Sequence, residues 1–166
     1  MNVENQFVIL NVEKYGGMLC APWFDRPLSV AGRIIVKDGN RLTTKLINVD
    51  RDLLMIPNLA IHMNREVNDG YKYNIQKDML PLYRMSNSGK AFKEMIAEEA
   101  GVSVDQIKGM DLFLYNRMEG TIWGCDGEFI SAPRLDDLQC AFTSTMALLN
   151  SESDRCIPVV AVFDNE

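Results

Sequence analysis

Residues 30–37 and 42–49 are two runs rich in β-branched and apolar side chains, and between them stand Asp38-Gly39-Asn40. A tight turn that reverses the chain between two strands needs positive φ, which glycine takes at no steric cost. The pattern predicts an antiparallel hairpin and commits this part of the chain to a β-rich module. Residues 7–12 and 53–56 add further strand signals, the second stopped by Pro57, which has no N–H to give to a ladder. Residues 64–83 carry Gly70 and Pro81 among polar side chains and read as an excursion loop.

Helical periodicity follows. Phe92, Met95, Ile96 and Ala100 fall on one face of a helix over 89–100, with Ser88 as its cap and Gly101 as its stop. Ser103-Val104-Asp105-Gln106 is a capping-box pattern for a short second helix ending at Gly109, before a strand over 111–115. A glycine-punctuated stretch, 120–127, leads into 128–131. From Pro133 the pattern changes: Leu135, Leu138, Phe142, Met146 and Leu149 recur at helical spacing and predict an amphipathic helix ending near Asn150. Beyond the polar residues 151–155, residues 157–163 are almost wholly apolar, as expected of a strand covered on both faces. A helix feeding such a strand is a slice of a doubly wound sheet, attached to a β-rich module that is not one. The seam falls near residues 127–132, and the class is α+β.

Seventeen Lys and Arg against 23 Asp and Glu leave a net charge of −6. That balance, with no basic run longer than two residues, argues against a surface that tracks nucleic-acid phosphates. No apolar stretch approaches the roughly 20 residues of a membrane span, so no membrane partner is expected. Cys20, Cys125, Cys140 and Cys156 form no C-x-x-C pair. They read as free structural thiols of a reducing, cytoplasmic compartment, with Cys140 and Cys156 at positions that suit small buried residues.

Three acidic positions could carry chemistry. Asp136 opens the helix that starts at 135, where a carboxylate complements the helix dipole, and Asp137 would point about 100° away from it. Asp164 and Glu166 stand at the far end of the 157–163 run, where α/β folds gather carboxylates for metal-assisted hydrolysis. Asp136 and Glu166 taken alone would also suit a glycosidase pair. His62 is the only histidine; after an apolar run it also fits a hydrogen-bonded structural residue. A catalytic zinc ion takes three protein ligands, so one His without H-x-x-x-H spacing does not complete a metal centre. Nucleophile-elbow, P-loop and dinucleotide-binding patterns do not occur.

Three segments together resemble the M18 family of zinc aminopeptidases, the aspartyl-aminopeptidase type. They are Asn11-Val12-Glu13-Lys14-Tyr15-Gly16-Gly17-Met18 with Asp25-Arg26-Pro27-Leu28-Ser29-Val30-Ala31-Gly32-Arg33; Ile56-Pro57-Asn58-Leu59-Ala60-Ile61-His62; and Glu128 through Leu138, with Arg134-Leu135-Asp136-Asp137, followed by Phe163-Asp164-Asn165-Glu166. The resemblance implies an α/β catalytic domain holding two zinc ions (Zn), into which a β-rich, barrel-like dimerisation or lid domain is inserted. Residues 1–127 would be the dimerisation/lid domain, and 128–166 one helix and one strand of the catalytic domain. It also implies that Asp136 bridges the two metals, that Glu166 is the general base, and that His62 reaches across a homodimer to a neighbour's site. Peptides with acidic N-terminal residues would be the substrates. Departures are equally plain. The upstream His-containing zinc segment, the second Glu after Glu166 and the later Asp and His ligands are missing. Asn116-Arg117-Met118-Glu119 replaces an Asp-Thr-Gln-like stretch. The expectation is a portion of a zinc aminopeptidase that alone is inactive and holds zinc weakly. The alternative is a free-standing, inactive oligomerisation or substrate-gating module.

Overall fold

The computed structural model describes residues 2–3 and 6–163. In chain order its elements are β1 (Asn2–Val3), β2 (Phe7–Ile9), β3 (Leu28–Asp38), β4 (Arg41–Asn48), α1 (Ile75–Asp78), β5 (Leu82–Met85), α2 (Phe92–Ala100), β6 (Ile107–Asn116), β7 (Thr121–Trp123), β8 (Phe129–Ser131) and α3 (Leu135–Leu149), with single 3-10 turns at Ala21–Trp23, Val67–Asp69 and Val104–Gln106. The chain divides into two compact units, Met1–Arg117 and Met118–Glu166. The architecture is mixed α/β with few helices and open sheets.

In the first unit β3 is the central strand of an antiparallel sheet of order β4-β3-β6. The expected hairpin closes through Gly39 and Asn40, with Asp38 opposite Arg41 and Gly39 at φ +57°. Eight consecutive pairs from Ala31↔Asn48 to Asp38↔Arg41 then run without a bulge. One face of this sheet alternates Ile34, Val36 and Ile47 inward, and α2 lays Met95, Ile96 and Ala97 against them, with Ile107 completing the cluster. Gly32 is required by proximity. A Cβ there would fall well inside contact distance of the Asp111 carbonyl oxygen and 2.9 Å from the Leu112 Cα, at a φ of +151° that side chains disfavour.

A second cluster, Phe24, Leu28, Val30, Leu54, Ile56 and Met79, lies at the other end of the same unit. Residues 54–56 join it through single bridges, Leu28↔Leu54, Met55↔Leu82 and a parallel Phe24↔Ile56, instead of a regular strand. β1, β2 and β5 make a separate antiparallel sheet of order β1-β2-β5. The region read as an excursion loop therefore holds α1 and runs at its end into a strand, β5, whose partner β2 lies over 70 positions earlier in the chain.

Two helix boundaries move. α2 starts at Phe92, not at Gly89, because Glu94 turns back to accept the Ala91 N–H at 2.9 Å and caps it there; Gly101, at φ +64°, ends it as expected. The predicted helix after Ser103 is one 3-10 turn, and Ile107 already pairs with Val36, so the strand begins four residues before Asp111. Pairing with a waiting strand wins over a three-residue capping signal.

In the second unit the glycine-punctuated stretch is a β7–β8 hairpin, Ile122 opposite Ile130 and Trp123 opposite Phe129 with ring centroids 4.7 Å apart. α3 forms over the expected residues, but its row of Leu138, Phe142 and Leu149 is exposed. The expected buried strand over 157–163 does not form within the described residues. Ile157 is 89% and Phe163 84% exposed, because an apolar run becomes a strand only when neighbours supply ladder partners and cover. For the same reason Cys140 and Cys156, expected buried, are exposed, as is Cys125; all four thiols are free.

Candidate active site

His62 stands in the first unit on a tight turn. The Met63 N–H donates to the Ala60 carbonyl at 2.8 Å, and the Asn64 N–H reaches the same oxygen at 3.2 Å, so residues 60–64 close on themselves. His62 is exposed, as are Leu59, Ile61 and Met63 around it. The turn thus carries an imidazole on an apolar tip.

The root of that loop is held by Asp25. Its carboxylate accepts the backbone N–H of Asn58 through Oδ1 and the side-chain amide of Asn58 through Oδ2, each at 2.9 Å. The Asp25 N–H in turn donates to the Ile56 carbonyl at 2.9 Å. Asp25 has a left-handed backbone, φ +54°, a conformation uncommon outside glycine but better tolerated by Asp and Asn. The Asn58 backbone hydrogen bond, followed by the side-chain one, holds the Asp25 carboxyl below the ordinary aspartate range.

Asp136 stands in the second unit. Arg134, at φ +63°, turns the chain into α3, and Asp136 itself is extended, φ −84° and ψ 115°. It is joined to Asp137 by a cis peptide bond. Asp136 lies in the first turn of α3 as expected, spanned by the Leu138 N–H donating to the Arg134 carbonyl at 3.3 Å, but its own backbone is not helical, so the 100° separation from Asp137 does not apply. Asp164 and Glu166 lie outside the described residues.

Among the described residues no three His, Cys, Asp or Glu side chains gather closely enough to hold a metal ion. Zinc needs three or four donors in one shell, so the described donors alone do not build a two-ion centre. The first-unit segment Asn11-Val12-Glu13-Lys14-Tyr15 instead lines an apolar cleft of about 680 Å³ over Val30, Ile56 and Leu114.

Sequence reasoning missed two anchors. The Asp25–Asn58 pair spans 33 positions, and no local pattern announces it. Arg117, part of the stretch that departs from the family pattern, has a structural task. Its Nε donates to Asp52 and its Nη1 to Asp50, both at 2.7 Å, while its backbone N–H donates to Pro27 at 3.1 Å. This fastens the 50–52 segment to the end of β6.

Comparison with known proteins agrees with these segments. The family model described as aminopeptidase I zinc metalloprotease (M18) matches residues 1–166. A probable M18 family aminopeptidase 2 of Clostridium acetobutylicum is 46% identical over 170 residues, covering 98% of this chain and 39% of that protein. Its counterpart from Pseudomonas aeruginosa is 38% identical over 163 residues, 94% of this chain and 38% of that protein. Among solved structures, Chaetomium thermophilum mApe1 superposes with a TM-score of 0.75 at 33% identity, over 92% of this chain and 38% of that one. The S. cerevisiae mApe1 dodecamer gives 0.65 at 26%, over 86% and 32%. The chain thus spans about two fifths of the curated relatives it matches. No helix among the described residues is long and apolar enough to cross a membrane. With the family model matching its whole length and relatives at this level of identity, the chain belongs to the M18 family of zinc metalloaminopeptidases.

Proposed function

We propose that this chain is a portion of a dinuclear zinc aminopeptidase that removes acidic N-terminal residues from peptides in the cytoplasm. Residues 1–127 are the dimerisation and lid domain in this reading, and 128–166 are part of the catalytic domain. The observation that carries it is the co-occurrence, in family order, of the three segments around Asp25, His62 and Asp136 within a chain that the family model matches throughout. Asp136 is the metal-bridging carboxylate, Glu166 the general base, and His62 a donor delivered to the site of a second copy. The extended backbone of Asp136 inside the first turn of α3 supports a carboxylate that serves a site beyond its own helix. The S. cerevisiae mApe1 dodecamer supports self-association, and the exposed apolar row on α3 suits cover by further catalytic sheet.

These 166 residues carry one histidine. By themselves they are expected to bind zinc weakly and to leave peptides uncut. Metal analysis paired with aspartyl-, glutamyl- and leucyl-nitroanilide assays tests both parts. Two tightly bound zinc ions with turnover by the isolated chain would refute its inactivity. In a full-length M18 enzyme bearing this segment, a preference for leucyl over both acidic substrates would refute the specificity.

A further inference from the structure

We propose that Asp25 is a positioning residue for His62: its carboxylate grips both the backbone and side-chain amides of Asn58 and so fixes the root of the loop that carries the imidazole. The inference rests on the reading of His62 as a donor delivered to a second copy's site.

On the incoming limb of the loop, the geometry makes this pair the fastening that sets direction. On one side of the clamp Phe24 is buried and stacks on Tyr73 at 5.0 Å; on the other Ile56 is almost fully buried. Both anchors belong to one core cluster and hold their places without the clamp. Beyond Asn58 the chain leaves the core, and residues 57–63 are all exposed. The tip is fixed internally by the two hydrogen bonds onto the Ala60 carbonyl. On the incoming limb, between that self-closed turn and the core, the side-chain fastenings among the described residues are the bonds of Asn58 to Asp25; the outgoing limb returns to the core at Tyr73. Removing them frees the incoming limb back to Pro57 and leaves the closed turn, with His62 on it, directed by its outgoing limb alone. A side chain that must meet a group on another molecule gains from being held in its productive direction beforehand. Asp25 and Asn58 are themselves exposed, so the pair buries almost nothing and adds little to the core. Its consequence is orientation.

Asp25→Ala removes both bonds. Asp25→Asn can restore them: its Oδ1 accepts the Asn58 N–H, and its amide donates to Asn58 Oδ1 once the Asn58 side chain turns over. In the 166-residue chain, amide hydrogen exchange at Asn58, whose N–H loses its acceptor, is expected to rise at least about tenfold in Asp25→Ala, while Met63 and Asn64, bonded within the turn, keep their exchange rates. Exchange in β3 and β6 should stay unchanged, and Asp25→Asn should return Asn58 to within about threefold of the parent. Unchanged Asn58 exchange in Asp25→Ala overturns the clamp. The second measurement uses a full-length M18 aminopeptidase in which residues 1–166 form the corresponding segment. There Asp25→Ala should lower kcat with little change in KM, Asp25→Asn should rescue it, and Asp25→Ala should add nothing further to His62→Ala. Additive losses show that Asp25 does not act through His62 and overturn the inference. Near-normal turnover of His62→Ala sinks the reading of His62, and with it the purpose of the clamp, while the exchange measurement independently reports whether the clamp holds.

Discussion

Replacing Gly32 with alanine tests the packing of the central strand. The new Cβ would meet the Asp111 carbonyl and lie 2.9 Å from Leu112 Cα, both backbone atoms that cannot rotate aside. Ordinary contact begins at 3.4 Å, so β6 must retreat by several tenths of an ångström or more from β3. That costs the ladder near the Gly32↔Leu112 pair about two hydrogen bonds at about 1 kcal/mol each. Holding a side-chain-bearing residue at φ +151° adds about 1–3 kcal/mol. The sum is about 3–5 kcal/mol, and at about 3–4 °C per kcal/mol for a unit of this size it lowers Tm by about 10–20 °C. Gly39→Ala is the control. It also sits at positive φ, +57°, but its Cβ would meet nothing within 4 Å, so only the left-handed backbone is penalised, by about 1–2 kcal/mol. Thermal unfolding followed by circular dichroism on both variants reads the difference. A Gly32→Ala midpoint equal to or above that of Gly39→Ala would mean that the close approach of β6 does not constrain the sheet.

Ile96→Ala removes a fully buried side chain between α2 and the Ile34–Val36–Ile47 face. It should cost about 2–5 kcal/mol, whereas Leu46→Ala at an 85% exposed position should stay within about 0.5 kcal/mol; urea midpoints compare them, and equal shifts would place the core elsewhere. The Asp25 clamp should respond to acid with a defined sign. Its folded carboxyl ionises below the ordinary value of 3.8, so the loop order it supplies is fully present above that value and is lost as pH falls through the depressed folded one. The Asn58 amide signals should hold steady from pH 7 to about 5 and shift only below about 4, while β3 signals stay in place; a midpoint near 6 would exclude Asp25 as the titrating group.

Much of the first unit is legible along the chain because its determinants are local. The 30–49 hairpin follows from strand residues on either side of one glycine, and α2 from apolar spacing closed by Gly101. α3 was legible for the same reason, yet its environment was not: periodicity names the face that wants cover without providing it. The 157–163 run shows the same limit, since its composition fits a buried strand while strand formation requires hydrogen-bond partners from other segments. β5 escaped notice because its four residues matter only once β2 lies beside them.

At the candidate site the division is sharper. The sequence alone was enough to assign the family, through long segments whose residue order is their own evidence, and to nominate His62, Asp136 and Glu166. Tertiary structure decided how two of these are held. The bonds that orient the His62 loop join positions 33 apart, and those of Arg117 join positions 65 and 67 apart. Asp136 departs from helical backbone inside the first turn of α3, two residues after the left-handed Arg134. Local periodicity reports what each segment can become; contacts between distant segments fix which way a side chain faces, and they exist only after the chain has folded.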